Sequence, residues 1–220
     1  MKGSRRPAVS ANPNVPSASP GYNVKRVRGF SLLEMLVVLV VVALVSAAAV
    51  PAVGRMRRAA LTAAGARHLA VTLHALRWKS VAEGMAHGMY FAADGSGWSW
   101  FVVRDGNGNG LRTAEVLGGT DPTLSGPHRT EDVASGVRLG FPPGGPFPRI
   151  PPANGWIDDH DDPIRIGNTS LLSFGPLGTA SSGTFYLTDG RERLYAIVLY
   201  GKTARVRVWR YEPGSGRWIS

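Results

Sequence analysis

From Met35 to Gly54 the chain runs for twenty residues without a charged side chain, and this run limits what the rest can be. Val, Leu and Ala dominate it. As a helix rising about 1.5 Å per residue, it matches the ~30 Å hydrocarbon core of a bilayer. Three readings compete: a plain membrane anchor, a cleaved secretory signal, and a membrane helix trimmed just before its own start. Small residues at Ser46-Ala47-Ala48-Ala49 suit a signal peptidase. However, the charged region ahead would be long, and the apolar run exceeds the ~7–15 residues typical of a signal core. That reading also leaves Glu34 without a purpose. A carboxylate just inside an apolar helix is expensive and calls for a partner or a task.

The third reading accounts for these features together. The segment Gly29-Phe30-Ser31-Leu32-Leu33-Glu34-Met35 follows a leader holding Lys2, Arg5, Arg6, Lys25, Arg26 and Arg28 and no acid. A basic leader ending in Gly, then Phe, then Glu at the fifth position of the trimmed chain resembles the signature of type IV pilins and pseudopilins. Pro51, about two-thirds of the way along the helix, resembles the family proline. The resemblance implies that a prepilin peptidase cuts between Gly29 and Phe30 and methylates the new amino group of Phe30. It also implies that Glu34 meets the N-terminal amine of a neighbouring subunit in a filament. In lipid, such a pairing offsets the burial of both charges and fixes the axial register.

The leader, residues 1–29, contains Pro13, Pro16 and Pro20 and is longer than most in that family; its Ser, Ala, Asn and Pro content reads as disordered. Its six basic residues precede the apolar run, whereas Arg55, Arg57 and Arg58 follow it. This bias favours a single pass with a cytoplasmic N-terminus and the bulk of the chain outside; the resemblance implies an inner-membrane protein whose C-terminal domain is periplasmic. The formal charge of +10 divides unevenly. Beyond residue 29 there are 19 basic and 15 acidic residues, so a trimmed chain is only mildly basic and its charge argues weakly for a polyanion partner. The absence of cysteine excludes disulfide staples, thiol catalysis and cysteine metal sites.

Residues 55–84 continue the helix beyond the transmembrane part, 30–54. Leu61, Gly65, Leu69, Leu73 and Leu76 share one face, giving an amphipathic extension that Gly84 and Gly88 are expected to stop. Residues 85–220 read as a β-rich domain. Strands are expected at Trp98–Arg104, Val137–Phe141, Ile164–Ile166, Leu171–Phe174 and Gly183–Thr188, with a hairpin of Leu194–Tyr200 and Ala204–Tyr211 about Gly201-Lys202-Thr203. A Pro/Gly-rich stretch between Phe141 and Pro163 reads as a surface loop. The expected class is α+β: a long N-terminal helix packed on a C-terminal antiparallel sheet domain. The Trp-rich strand, the Asp/Asn/Gly turn after it, and the block Leu172–Gly178, Gly183–Leu187 and the final hairpin resemble the H-type minor pseudopilins of type II secretion and the related FimT-type minor pilins.

Several features could carry chemistry. Asp105, Asn107 and Asn109 alternate as in a calcium loop, but Glu115 misses the spacing of the bidentate acid, and a tight turn explains the same residues. Asp158-Asp159-His160-Asp161-Asp162 reads as a solvated acidic loop. His128 and His160 lie in loops with no serine motif and no second His at ligand spacing. No enzyme and no cofactor is implied. In the last hairpin, alternation sends Ala204, Val206 and Val208 one way and Arg205, Arg207, Trp209 and Tyr211 the other. With Lys202, that second face could hold DNA by phosphate contacts and stacking; a solvent-facing sheet surface also explains it and is preferred.

Two function classes follow. The first is a minor pseudopilin that assembles with other pseudopilins or pilins in the pseudopilus of a type II secretion system. The second is a minor type IV pilin of FimT type that binds DNA for natural transformation. In FimT-type pilins a Gly-Arg-x-Arg element near the C-terminus is linked to DNA uptake; Gly201-Lys202-Thr203-Ala204-Arg205 does not match it.

Overall fold

The computed structural model describes residues 29–220, so the leader, including its expected disorder, lies outside the described residues. The chain divides into two compact units, the first ending at Ala47 and the second running from Ala48 to Ser220. One helix, α1 (Leu32–Glu83), begins in the first and ends in the second, with Pro51 inside it. It stops where Gly84 takes a positive φ of 64°, a conformation that favours glycine.

Ten strands follow, in two antiparallel sheets. The first sheet has the order β3 (Thr123–His128), β2 (Gly97–Arg104), β1 (His87–Asp94), β6 (Leu171–Phe174). The second runs β10 (Arg217–Ile219), β9 (Arg205–Glu212), β8 (Leu194–Tyr200), β7 (Gly183–Thr188), β4 (Arg138–Leu139), with β5 (Ile164–Arg165) also paired to β7. A short helix, α2 (Thr113–Gly118), lies between β2 and β3. The α+β class expected from sequence is the one observed.

Gly88 is not part of the helix stop. It sits within β1 between Val103 of β2 and Ser173 of β6, where a Cβ would lie 2.1 Å from the Leu172 carbonyl oxygen. Only glycine fits so close an approach.

The core has two parts, one on each face of the second sheet. On the first face, Ala66, Leu69, Leu73 and Leu76 of α1 meet Met89, Phe91 and Trp100 of one sheet and Phe185, Leu187, Ile197 and Leu199 of the other. Gly65 lets the helix approach the segment that leads into β4, since a Cβ there would stand 3.1 Å from Val137 Cγ1. On the opposite face, Tyr186, Leu194, Ala196, Trp209 and Trp218 pack against Phe147 and Ile157. Those two residues come from the Pro/Gly-rich stretch, which is therefore not a free surface loop. It folds on itself through the Ile157 N–H to Phe147 carbonyl bond (2.8 Å). The Trp218 indole N–H then donates to the Pro148 carbonyl at 2.8 Å and ties it to the sheet. Apolar side chains placed among prolines and glycines have no periodicity to reveal them, so the cover was not visible in the sequence.

Candidate functional site

At the start of α1, Gly29, Phe30 and Ser31 precede the helix, and the Glu34 backbone N–H donates to Ser31 Oγ at 3.1 Å. Ser31-Leu32-Leu33-Glu34 thus has the spacing of a capping box, with the acid in the first turn, where it complements the helix dipole. The S-x-x-E pattern of Ser31-Leu32-Leu33-Glu34 is the sequence signal that identifies Ser31 as the companion of Glu34. The bond between Gly29 and Phe30 lies outside the helix, with the backbone N–H and carbonyl groups on either side free of its hydrogen-bond ladder.

From Leu32 to Ala47 every residue is exposed within the chain. Leu32, Leu36, Leu39, Val42 and Leu44 all stand open. An all-round apolar helix of this kind is expected within lipid or among other helices. Among the described residues, α1 is the one helix long and apolar enough to cross a bilayer. Pro51 lies on an exposed position of the same helix.

Residues 24–50 match the prokaryotic N-terminal methylation motif. No curated protein and no solved structure matches the chain. The motif covers the end of the leader and about the first third of α1, and it implies processing by a prepilin peptidase and assembly with pilin-like subunits. An apolar N-terminal helix followed by antiparallel sheets fits a pilin-like arrangement and single-pass anchoring.

The hairpin candidates separate in the structure. The alternation along β9 holds, but the face bearing Arg205, Arg207, Trp209 and Tyr211 is open along only part of its length. Trp209 is buried in the second core cluster and Tyr211 packs against it, so neither offers a free stacking surface; this corrects the solvent-facing picture. The Pro/Gly-rich cover ends before the hairpin turn. What stays open is a groove of about 630 Å³ lined by Ser182, Tyr200, Lys202, Arg205 and Arg207. Its aromatic is Tyr200, opposite Arg205 in the ladder. Among the described residues, no carboxylate lies within 4.0 Å of these three cations.

The Asp105 loop is built as a turn. Asp105 Oδ1 accepts the Gly108 and Asn107 N–H groups at 2.7 and 3.1 Å, and Oδ2 accepts that of Gly110 at 2.7 Å. Burial pushes its pKa up, but the bonds from Gly110, Gly108 and Asn107 outweigh this and hold it below the usual carboxylate range. The side-chain amides of Asn107 and Asn109 both donate to Glu115, at 3.1 and 2.9 Å. A second buried acid, Asp121, accepts the N–H groups of Gly106 and Arg112. Donors crowd the oxygens that a calcium ion would need.

The acidic run is spent similarly. Asp158 pairs with Arg149, and Asp159 Oδ1 accepts the Asp161 N–H at 2.8 Å. Asp162 Oδ1 accepts the Ile164 N–H at 3.0 Å. The His160 ring turns toward Phe141 and Phe147, with centroids 5.1 and 5.5 Å away. His128 contacts Ser125 Oγ at 3.0 Å and lies beside Trp100. Among the described residues, no group of His, Asp and Glu is placed to hold a metal ion.

Proposed function

We propose that this protein is a minor pseudopilin of a type II secretion system, with a structural role in assembling a short periplasmic filament. The match at residues 24–50 supports the pilin or pseudopilin class, and the resemblance of the β-rich part to H-type pseudopilins favours the secretion role within that class. A prepilin peptidase removes the leader between Gly29 and Phe30 and methylates Phe30 on the cytoplasmic side of the inner membrane. The β domain stands in the periplasm. The exposed apolar first half of α1 is held by lipid before assembly and by neighbouring helices after it. Glu34 pairs with the amine of a neighbouring subunit, and Pro51 marks where the assembling helices adjust. Mass spectrometry of the mature N-terminus, from cells with and without the peptidase, tests this. N-methylated Phe30 that depends on the peptidase is expected; a terminus near Val50 would overturn it.

The open basic groove favours a second reading, in which the protein is a minor type IV pilin that binds DNA for uptake. Lys202, Arg205 and Arg207 supply phosphate contacts and Tyr200 a stacking ring. Replacing Arg205 and Arg207 with Glu is expected to abolish DNA retention. Retention equal to that of the unaltered chain removes this reading.

A further inference from the structure

The second unit carries another basic feature, at the end where α1 enters it. The apolar run stops at Gly54, and Arg55, Arg57 and Arg58 occupy the next turn. Arg58 precedes Leu61 and Gly65 by three and seven residues, so it prolongs the stripe that α1 turns to the core. It lines a cleft of about 190 Å³ with Leu61, Val137, Asp189 and Arg191. Arg191 belongs to the β7–β8 turn, which also carries Arg193. The Arg138 guanidinium rests on Gly190 of that turn, its Nη2 3.3 Å from where a Cβ would be. Three elements thus bring four guanidiniums around one turn.

Of the acids in this region, Asp189 is held through one oxygen, its Oδ2 buried without a hydrogen-bond partner among the described residues, and Glu192 sits beside Arg193. Asp189 Oδ1 accepts the N–H groups of Arg191, Glu192 and Arg193 at 3.0, 3.1 and 3.1 Å. Burial pushes its pKa up, but these bonds and the Arg193 charge hold it below the usual range. Glu192 lies 4.0 Å from Arg193. Among the described residues, Arg55, Arg57, Arg58, Arg138 and Arg191 have no carboxylate within 4.0 Å.

We propose that this basic collar binds anionic phospholipid headgroups of the bilayer that the apolar run crosses, and so seats the β domain on the membrane surface. The proposal rests on the membrane-spanning reading above. Position selects the ligand: Arg58 lies four residues past Gly54, about 6 Å along the helix axis, within the depth of a headgroup layer. Guanidinium groups suit phosphate, pairing with two of its oxygens at once. The attraction is short-ranged, since salt screens it beyond about 8–10 Å.

The chain has no cysteine, so a Ser135→Cys variant of the full chain takes a single fluorophore at the cleft rim. It is reconstituted in phosphatidylcholine bilayers with or without phosphatidylglycerol, together with a headgroup-attached quencher. Quenching at least about twofold stronger in the anionic bilayer is expected, reversed by high salt. Arg138→Glu with Arg191→Glu removes the difference. So does Arg55→Glu with Arg57→Glu, at exposed helix positions that leave the fold intact. Equal quenching in both bilayers overturns the collar while leaving the anchor in place. Quenching that follows protein-to-lipid ratio rather than lipid charge assigns the cleft to a second copy and also overturns it. A chain that floats with neither bilayer removes the membrane reading and the collar together.

Discussion

The two halves of α1 obey different rules although they form one helix. From Leu32 to Ala47 nothing is buried, and the side chains are apolar all round. From Thr62 to Ser80 a single stripe is buried: Thr62, Gly65, Ala66, Leu69, Ala70, Leu73, Leu76 and Ser80, spaced three or four apart with two adjacent pairs. The second half is stabilised by its own chain. The first has no partner within the chain and needs lipid or other subunits, so the same kind of substitution should have unrelated effects in the two places.

The largest contrast is expected between Leu73→Ala and Leu39→Ala. Leu73 is fully buried between helix and sheets, and truncating it should cost about 2–5 kcal/mol of domain stability. Leu39 is exposed, and its truncation should leave the domain unchanged. Urea unfolding of the full chain in detergent, followed by tryptophan fluorescence, measures both. A Leu39→Ala shift as large as that of Leu73→Ala would break the distinction between the halves.

This difference was the most legible part of the sequence, because helical periodicity reports burial on one side directly and its absence reports an all-apolar surface. The strands at Leu171–Phe174, Gly183–Thr188 and Leu194–Tyr200 were legible for the same reason. Strand β1 was not, because its Gly88 and paired alanines look like a break rather than a central strand. Strand β3 carries Gly126 and Pro127, and β10 has only three residues. At the hairpin, alternation gave the two faces correctly but could not tell which was covered. That depended on Phe147 and Ile157, far away in sequence and set among prolines and glycines.

Acid should sharpen the contrast next. Asp105 and Asp189 have depressed pKa values in the folded domain, with the hydrogen bonds given above outweighing burial. The unfolded chain therefore binds protons first, and stability present above the ordinary aspartate range is lost as pH falls through it and below. The urea midpoint of the β domain should fall over that window. Asp105→Asn should lower the neutral midpoint and flatten the acid slope. A variant with the unaltered slope would show that the turn is held by other contacts.

The smallest effect belongs to the start of the helix. Ser31→Ala removes the acceptor of the Glu34 N–H, a cap worth about 0.5–2 kcal/mol to a helix end. With no buried contacts nearby, the loss should stay local. Hydrogen exchange at Glu34 and Met35 should speed up while domain unfolding does not move. Ser31→Asp should restore protection, since Asp caps as well as Ser. Cleavage between Gly29 and Phe30 gives a second readout. A cap that merely begins the helix leaves the rate of peptidase processing unchanged in Ser31→Ala. A cap that keeps the Gly29–Phe30 bond in non-helical backbone slows processing in Ser31→Ala, and Ser31→Asp rescues it.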